Sequence, residues 1–327
     1  MPRPDGYNYL AQAMPRLARR VPRVALGQFP TPLTSSDDGR LSLYIKRDDR
    51  SHPLYGGNKL RKLEYLFGRA LRLGAQRVAT FGAAGSNHAL ATAIHCRALG
   101  LEPLAFLGHQ RASPQVVATL RAHGRLGTDI VYWGGPPEAR RRIAVETLRT
   151  QRRPTWVIPA GGSSMAGALG YIGAAFELRA QIDAGLAPEP DRLYLPLGTM
   201  GTVAGLAVGM KLAGFATTLV AVRVVAPDFA SETRLRRYCQ RLERMLSRLQ
   251  PGLGIAAKPP GIEVRHDQFG TGYAHSTAAA DNALLRGRSE LGLKLETTYS
   301  GKALAALYAD RDAGRLDGQT VVFLNTY

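Results

Sequence analysis

The stretch Gly56-Gly57-Asn58-Lys59-Leu60-Arg61-Lys62-Leu63-Glu64 opens a helix directly after a tight glycine turn. The two glycines permit the turn, and Asn58 is predicted to cap the helix that follows. The helix is predicted to end at Gly74. Its apolar residues recur at helical spacing, at Leu63, Leu66, Phe67, Ala70 and Leu71. Lys59 therefore falls in the first helical turn.

A lysine in the first turn of a helix lies at the positive end of the helix dipole, which destabilises its ammonium form. The neutral amine is the form that attacks an aldehyde to give a Schiff base. Lys59 is therefore a candidate for covalent attachment of a carbonyl compound. On this stretch alone, the alternative is a solvated lysine at a helix start.

The composition is that of a soluble globular protein long enough for two lobes. The 327 residues are 45% hydrophobic and 21% charged. No apolar run approaches the roughly 18 residues that a membrane span needs. The two cysteines, Cys96 and Cys239, fall in predicted helices without metal-ligand spacing, which favours a reducing, cytoplasmic location.

The net charge of +18 raises the question of nucleic-acid binding. The basic residues are mostly arginines spread along the chain, with dense groups at Arg140–Arg142, Arg152–Arg153 and Arg234–Arg248. The last group interleaves with apolar residues, as in an amphipathic surface helix. The sequence has no nucleic-acid-binding motif with fixed spacing. A solvated basic surface suited to anionic ligands is therefore favoured over specific nucleic-acid recognition.

Strand-like and helix-like segments alternate along the chain, which predicts an α/β protein with parallel sheets and right-handed crossovers. Residues 1–40 are predicted to form an irregular arm. Beyond the arm, strands are predicted at Leu41–Lys46, Arg77–Phe81, Pro103–Leu107, Ile130–Trp133, Thr155–Ile158, Arg192–Leu197, Leu219–Val225 and Val321–Leu324.

Two loops at predicted helix starts are candidates for anion binding. Gly198-Thr199-Met200-Gly201-Thr202 lies between a strand and a helix, where backbone N–H groups and two threonine hydroxyls would suit a phosphate monoester. Ser86-Asn87 begins another helix and would suit a carboxylate, with the Asn87 amide free to reach a phenolic oxygen. The alternatives are a tight turn for the first loop and an ordinary N-cap for the second.

A Schiff-base lysine, a phosphate loop and a carboxylate loop together suit pyridoxal phosphate. The sequence resembles the pyridoxal-phosphate enzymes of the D-cysteine desulfhydrase and 1-aminocyclopropane-1-carboxylate deaminase family, which have the two-lobed tryptophan-synthase-β-like fold (fold type II). The resemblance covers nearly the whole chain, from about residue 41 to 326. The motifs that carry it follow the family's order: Lys46-Arg47-Asp48-Asp49 through Leu66, Gly85-Ser86-Asn87-His88, Gly167–Tyr171, the loop at Gly198, and Tyr299-Ser300-Gly301-Lys302-Ala303.

The resemblance implies a role for the residues of these motifs. Lys59 would carry the cofactor and also remove the Cα proton of the substrate. Asn87 would bond the phenolate oxygen of the cofactor, and Ser86 would hold the substrate carboxylate. The residues Gly198, Thr199, Met200, Gly201 and Thr202 would hold the phosphate.

Two tyrosines and a serine complete the site that the resemblance implies. Tyr273 and Tyr299 match the family's active-site tyrosines, one against the cofactor ring and one assisting the substrate; the alternative is two ordinary core tyrosines. Ser300 matches the position that faces the pyridine nitrogen. A hydroxyl cannot keep that nitrogen protonated as a carboxylate would, so loss of a β-leaving group is favoured over routes through a long-lived carbanion. Ring-opening deaminases of the family typically have a glutamate at Ser300 and a leucine at Thr326.

The sequence departs from the family pattern at two places. The family's glutamine before Ser-Asn is Gly85 here, so one side-chain contact to the substrate would be missing. The usual His-Thr-Gly-Gly near the C-terminus is Asn325-Thr326-Tyr327. Either a terminal segment is absent from this sequence, or the pocket is closed differently.

These observations predict two α/β lobes with the cofactor between them. The large lobe would comprise residues 1–61 and 171–327 and the small lobe residues 62–170, and the resemblance suggests a homodimer. The predicted function is pyridoxal-phosphate-dependent α,β-elimination from a small amino acid such as D-cysteine, giving pyruvate, ammonia and sulfide. The alternatives are cyclopropane-ring deamination, a non-catalytic cofactor-binding protein and a basic protein that binds nucleic acid.

Overall fold

A computed structural model of the chain describes residues 7–37, 41–253 and 261–327. The strands are β1 (Leu33–Asp37), β2 (Ser42–Arg47), β3 (Arg77–Ala83), β4 (Glu102–Gly108), β5 (Asp129–Tyr132), β6 (Thr155–Ile158), β7 (Arg192–Leu197), β8 (Thr218–Arg223), β9 (Ile262–Arg265) and β10 (Thr320–Asn325). The α-helices are α1 (Tyr9–Ala13), α2 (Pro15–Arg20), α3 (Asn58–Arg72), α4 (Asn87–Ala98), α5 (Pro114–Arg125), α6 (Pro137–Arg149), α7 (Met165–Asp183), α8 (Gly201–Leu212), α9 (Glu232–Leu249), α10 (Ala278–Leu291) and α11 (Ser300–Asp312).

The described strands form two sheets. The larger has six strands in the order β1-β2-β10-β7-β8-β9, and the smaller has four in the order β5-β4-β3-β6. Every neighbouring pair is parallel except β1 with β2. The central strands have nearly continuous apolar runs because helices cover both faces of such sheets. The predicted α/β fold with parallel sheets is confirmed, with one antiparallel edge strand added.

Helices α7 and α8 form the centre of the main hydrophobic core. Their packed faces use small residues, and a Cβ on Gly209 would lie 2.7 Å from the Cβ of Ala175. Helix α3 packs on α7 in turn. The start of α3, which bears Lys59, is thereby fixed against the helices at the centre of the main hydrophobic core.

The prediction of an irregular arm over residues 1–40 is wrong for much of the described segment. Helices α1 and α2 and strand β1 lie within it, and Leu10, Met14 and Leu17 are buried in the core. Residues 1–6 and 38–40 of the predicted arm lie outside the described residues. Strand β9 is not predicted either, although its residues Ile-Glu-Val-Arg alternate between apolar and polar, because four residues are a short pattern.

The division into lobes at residues 61/62 and 170/171 stays a prediction. The six-stranded sheet is built from residues 33–47 and 192–325, and the four-stranded sheet from residues 77–158. Helices α3 and α7 run across the predicted boundaries. Within the described ranges, no helix combines the length and the apolar character that crossing a membrane requires.

Candidate active site

Helix α3 begins one residue earlier than the capping prediction requires. Gly57 precedes the helix with φ 95°, and a Cβ there would lie 2.8 Å from the carbonyl oxygen of Thr326. Asn58 is thus the first helical residue rather than the cap, and its side chain makes no capping bond. Its Nδ2 instead donates to Thr202 Oγ1 over 3.2 Å. The predicted end of the helix near Gly74 is confirmed, although Leu71 is exposed.

The Lys59 amine lies on the wall of a cavity of about 400 Å³. Its Nζ donates to Asn58 Oδ1 over 2.5 Å and lies 5.5 Å from the ring centroid of Tyr299. Burial lowers the pKa of Lys59 to about 8, and the negative charge of Glu296 opposes this shift. The depressed pKa agrees with the sequence-based expectation of a reactive amine, but its main cause is desolvation rather than the helix dipole.

The cavity brings most of the sequence-predicted site residues together. Those that line it are Lys59, Ser86, Asn87, Gly198, Thr199, Met200, Thr202, Tyr273 and Tyr299. Gly201 and Ser300 do not line it. The lining residues that the sequence-based prediction missed include Lys62, Arg140, Phe229, Glu296 and Tyr327.

The loop between β7 and α8 leaves a helix N-terminus open toward the cavity. Met200 precedes the helix in the left-handed conformation, φ 66°, and offers no side-chain cap to the first turn. Gly201 lies behind the cavity surface, where its N–H donates to Ser163 Oγ over 3.3 Å. A Cβ on Gly201 would lie 2.6 Å from Ser163 Oγ. This close approach explains the glycine, and the uncapped N–H groups of such a helix start suit an anion.

Lys62 and His88 supply buried basic groups beside this loop. Lys62 lies one helical turn beyond Lys59, and its Nζ donates to the carbonyl oxygen of Gly161 over 3.2 Å. Burial, reinforced by the charge of Lys59, holds the pKa of Lys62 well below its usual range. Burial and the nearby lysines also lower the pKa of His88, whose Nε2 lies 3.0 Å from Thr80 Oγ1.

The start of α4 presents Ser86 and Asn87 from the four-stranded sheet. Ser86 is the N-cap, as predicted, and its Oγ accepts the N–H of Ala89 over 3.2 Å. Its hydroxyl proton is still available to a carboxylate. Asn87 Oδ1 accepts from the hydroxyl of Tyr55 over 3.3 Å. With its carbonyl oxygen engaged, the amide N–H₂ of Asn87 is the group available to an acceptor in the cavity.

The absence of a side chain at Gly85 has a local reason. Its N–H donates to Gln110 Oε1 over 2.8 Å, and a Cβ would lie 3.0 Å from a methyl group of Val116. Gln110 therefore occupies the space into which the family's glutamine would project.

Tyr273 and Tyr299 form a pair on the cavity wall. Their hydroxyls lie 2.6 Å apart, and their rings meet edge to face. Burial raises the pKa of both hydroxyls. Both tyrosines are therefore protonated at neutral pH and can donate protons or hydrogen bonds.

Glu296 is a carboxylate on this wall, and its oxygens accept hydrogen bonds from the backbone. It accepts the N–H groups of Thr298, Tyr299 and Ser300, each over 2.8 Å, and so caps α11. Ser300 is fully buried, and its Oγ lies 3.2 Å from Glu296 Oε1. The hydroxyl predicted to face a pyridine nitrogen is thus engaged by Glu296, while Thr326 lines the cavity.

A buried network of charges fixes helix α3 to its neighbours. Arg61 donates to Asp48 Oδ1 over 2.7 Å and to both carboxylate oxygens of Glu177 over 2.9 Å. Lys46 also donates to Glu177. These cations hold the pKa of Glu177 at about 2 although burial alone would raise it. The network therefore ties α3 to β2 and α7 through ionised groups.

These residues fit pyridoxal phosphate. Lys62 has no carboxylate partner in the part of the chain that the structure describes, and it lies near an open helix N-terminus. Burial disfavours the charged form of this amine, and an anion such as the phosphate beside it would stabilise the ammonium. Lys59 would supply the amine, and Asn87 would supply a donor for the phenolate oxygen.

Comparison with known proteins agrees with this fit. The family model described as "Pyridoxal-phosphate dependent enzyme" matches residues 24–326. The chain is 30% identical to a putative 1-aminocyclopropane-1-carboxylate deaminase of Thermotoga maritima, over 93% of this chain and 95% of the relative. It is 32% identical to a D-cysteine desulfhydrase of Yersinia enterocolitica, over 94% of each chain. A solved structure of an ACC deaminase homologue superposes with a TM-score of 0.80 at 27% identity, covering 98% of this chain and 94% of that one.

The chain therefore belongs to the family of pyridoxal-phosphate dependent enzymes. Within that family its relatives include D-cysteine desulfhydrases and 1-aminocyclopropane-1-carboxylate deaminases, as the sequence resemblance indicated. The cofactor and the two-lobed type II fold that the sequence predicts are confirmed. Membership of the family implies a small amino acid as substrate. The roles of individual site residues stay predictions.

Proposed function

We propose that this enzyme is a lyase that removes a β-substituent from a small amino acid, with D-cysteine as a substrate and pyruvate, ammonia and sulfide as products. The observation that carries the proposal is the Lys59 amine, with a pKa of about 8, on the same cavity wall as the Tyr273–Tyr299 pair. Hydrosulfide is a good leaving group, and a tyrosine hydroxyl beside the reacting atoms can assist its departure by donating a hydrogen bond or a proton.

Each lining residue has a chemical task in this proposal. Pyridoxal phosphate, when bound, withdraws electrons from the substrate and so makes the Cα proton acidic. Lys59 would hold the cofactor, and its neutral amine would accept that proton. Ser86 donates to the substrate carboxylate, and Asn87 donates to the phenolate oxygen. Lys62 and the loop at residues 198–202 hold the phosphate.

The hydrogen bonds between the Glu296 carboxylate and the start of α11 support elimination rather than ring opening. The carboxylate already accepts three backbone N–H groups and the hydroxyl of Ser300. The hydroxyl of Thr326, which lines the cavity, is the group left for the pyridine nitrogen. A hydroxyl does not stabilise a protonated nitrogen as a carboxylate does. Expulsion of a good leaving group depends less on a strongly withdrawing ring than cyclopropane opening does.

The test compares two products of the purified enzyme. Pyruvate from D-cysteine or β-chloro-D-alanine should greatly exceed 2-oxobutanoate from 1-aminocyclopropane-1-carboxylate. Comparable 2-oxobutanoate would overturn the proposal in favour of the deaminase. Ser300→Glu should move the ratio toward ring opening; because Glu296 lies 3.2 Å from Ser300 Oγ, it is best combined with Glu296→Gln to avoid two adjacent carboxylates.

We also propose that the enzyme is a cytoplasmic homodimer. The dimer follows from the family resemblance of the sequence. The location is supported by two free cysteines, Cys96 and Cys239, which a reducing compartment keeps as thiols. Sedimentation equilibrium of the purified protein tests the first point, and fractionation of the native cells tests the second.

A further inference from the structure

The mouth of the cavity carries an arginine that the proposed reaction does not use. Arg140 lies in the first turn of α6, is exposed, and lines the cavity. Its carbonyl oxygen accepts from Trp133 Nε1 over 2.9 Å, and its guanidinium carbon lies 5.5 Å from the Trp133 ring centroid. Arg140 is thus held at both its backbone and its charged end.

The guanidinium of Arg140 has no carboxylate partner among residues 7–37, 41–253 and 261–327. Within the cavity lining, Lys62 serves a phosphate and Lys59 carries the cofactor in the proposed function. The Glu296 carboxylate is bonded to the start of α11. Arg140 is therefore a cation on the cavity wall that has no assigned counter-ion.

Arg140 reaches the cavity from the side opposite the phosphate loop. Trp133 directly follows β5, whereas Ser163, which contacts that loop, follows β6. Strands β5 and β6 are the two edges of the four-stranded sheet, about 14 Å apart at three interstrand spacings. Trp133 packs on Phe81, a lining residue at the end of β3, with ring centroids 4.9 Å apart. Arg140 is therefore placed toward the substrate rather than the phosphate.

We propose that Arg140 binds an anionic group on the substrate side chain. The preferred substrates are then amino acids whose β-substituent carries a second carboxylate, a phosphate or a sulfonate. A guanidinium can donate two parallel hydrogen bonds to such a group. The inference rests on the proposed function for the orientation of the substrate, with its α-carboxylate at Ser86.

The test measures binding with an isosteric pair of ligands that differ in charge. The cofactor-loaded protein is titrated with aspartate and with asparagine, each as both enantiomers, and the change in cofactor absorbance gives the dissociation constants. Wild type should bind aspartate at least about tenfold more tightly than asparagine for the accepted enantiomer, as expected for a charge-assisted hydrogen bond. Arg140→Met should abolish this preference and leave asparagine binding unchanged, and Arg140→Gln should act in the same way.

Arg141→Met is the matched control, because Arg141 is the exposed neighbour of Arg140 and does not line the cavity. It should keep the preference for aspartate. Equal binding of aspartate and asparagine by wild type, or equal loss of preference in both arginine variants, would overturn the inference. A preference that depends on Arg140, without pyruvate from any β-substituted amino acid, would support the inference and refute the proposed lyase. Pyruvate formation without a preference for aspartate would support the proposed lyase and overturn the inference about Arg140.

Discussion

Asn58 Nδ2 donates to Thr202 Oγ1 over 3.2 Å, while Asn58 Oδ1 accepts from Lys59 Nζ over 2.5 Å. The side-chain amide of Asn58 therefore connects the amine of Lys59 in α3 with the first turn of α8. This arrangement fixes the distance between Lys59, the proposed point of covalent attachment, and the loop proposed to hold the phosphate. A cofactor that is held at both ends needs that distance to be constant.

Thr202→Val should weaken cofactor binding. The change removes a hydroxyl from the phosphate loop and leaves Asn58 Nδ2 without its acceptor. We expect a loss of about 1.5–3 kcal/mol, roughly tenfold or more in Kd, measured by dialysis of the apoprotein against pyridoxal phosphate. Thr119→Val is the control, because the buried Thr119 Oγ1 in α5 has no hydrogen-bond partner among the residues that the structure describes. An unchanged Kd in Thr202→Val would mean that the phosphate binds elsewhere.

Lys59→Ala should abolish the visible absorption band of the lysine-linked cofactor. The proposed covalent link is made through the Lys59 amine, so the variant has no amine at the position where the cofactor aldehyde would be attached.

 Lys62 keeps its contact with Gly161 in this variant and should not restore the band. Lys211→Ala is the control. Lys211 lies in the last turn of α8, is paired with Glu243 of α9 and does not line the cavity. After borohydride reduction and proteolysis, the labelled peptide of wild type should contain Lys59. A label on another lysine would contradict the assignment.

The rate of covalent cofactor capture should depend on pH through the Lys59 amine. Only the neutral amine reacts, and the pKa of Lys59 is about 8, so the rate for the apoprotein should rise between pH 7 and 9 and then level off. Glu296→Gln should move the midpoint to lower pH, because the Glu296 carboxylate raises the pKa of Lys59. Stopped-flow absorbance measures both profiles. A midpoint near the usual lysine value of 10.5 would contradict this prediction.

Glu177→Gln should destabilise the fold. The change leaves Arg61 and Lys46 buried beside a single carboxylate, Asp48, and breaking such a buried network typically costs about 3–5 kcal/mol. Urea unfolding of the apoprotein measures the loss. Asp183→Asn is the control, because the Asp183 side chain, which pairs with Arg179, is largely exposed. Such a surface ion pair should contribute less than about 1 kcal/mol.

The Glu177 carboxylate should contribute to the acid sensitivity of the protein. The pKa of Glu177 is about 2 in the folded state against an ordinary value of 4.5. Its stabilising contribution is therefore present above pH 4.5 and is lost as the pH falls toward 2. Glu177→Gln should show a shallower decline of unfolding free energy over this range. An identical decline in wild type and variant would show that other groups dominate the acid response.

The sequence predicted the local structure of this protein well where a short pattern decides it. Glycines, an N-cap serine and apolar periodicity located α3 and α4 and most of the strands, because these signals act within a few residues. The pattern failed in the first 40 residues, where α1 and β1 depend on contacts with α7 and β2 that are distant in sequence. Lys62 was also missed, although its spacing of three residues from Lys59 places both on one helical face.

The sequence by itself determined the family and the cofactor, because these depend on residue types in fixed local spacing. It also predicted Lys59 as the reactive lysine. Only the tertiary structure decided which groups share the cavity. Glu296 is bound to the start of α11, Gln110 fills the space beside Gly85, and Arg140 is carried to the cavity mouth by Trp133. Each of these placements depends on the order of strands in a sheet or the packing of a loop, which bring together residues that no local pattern connects.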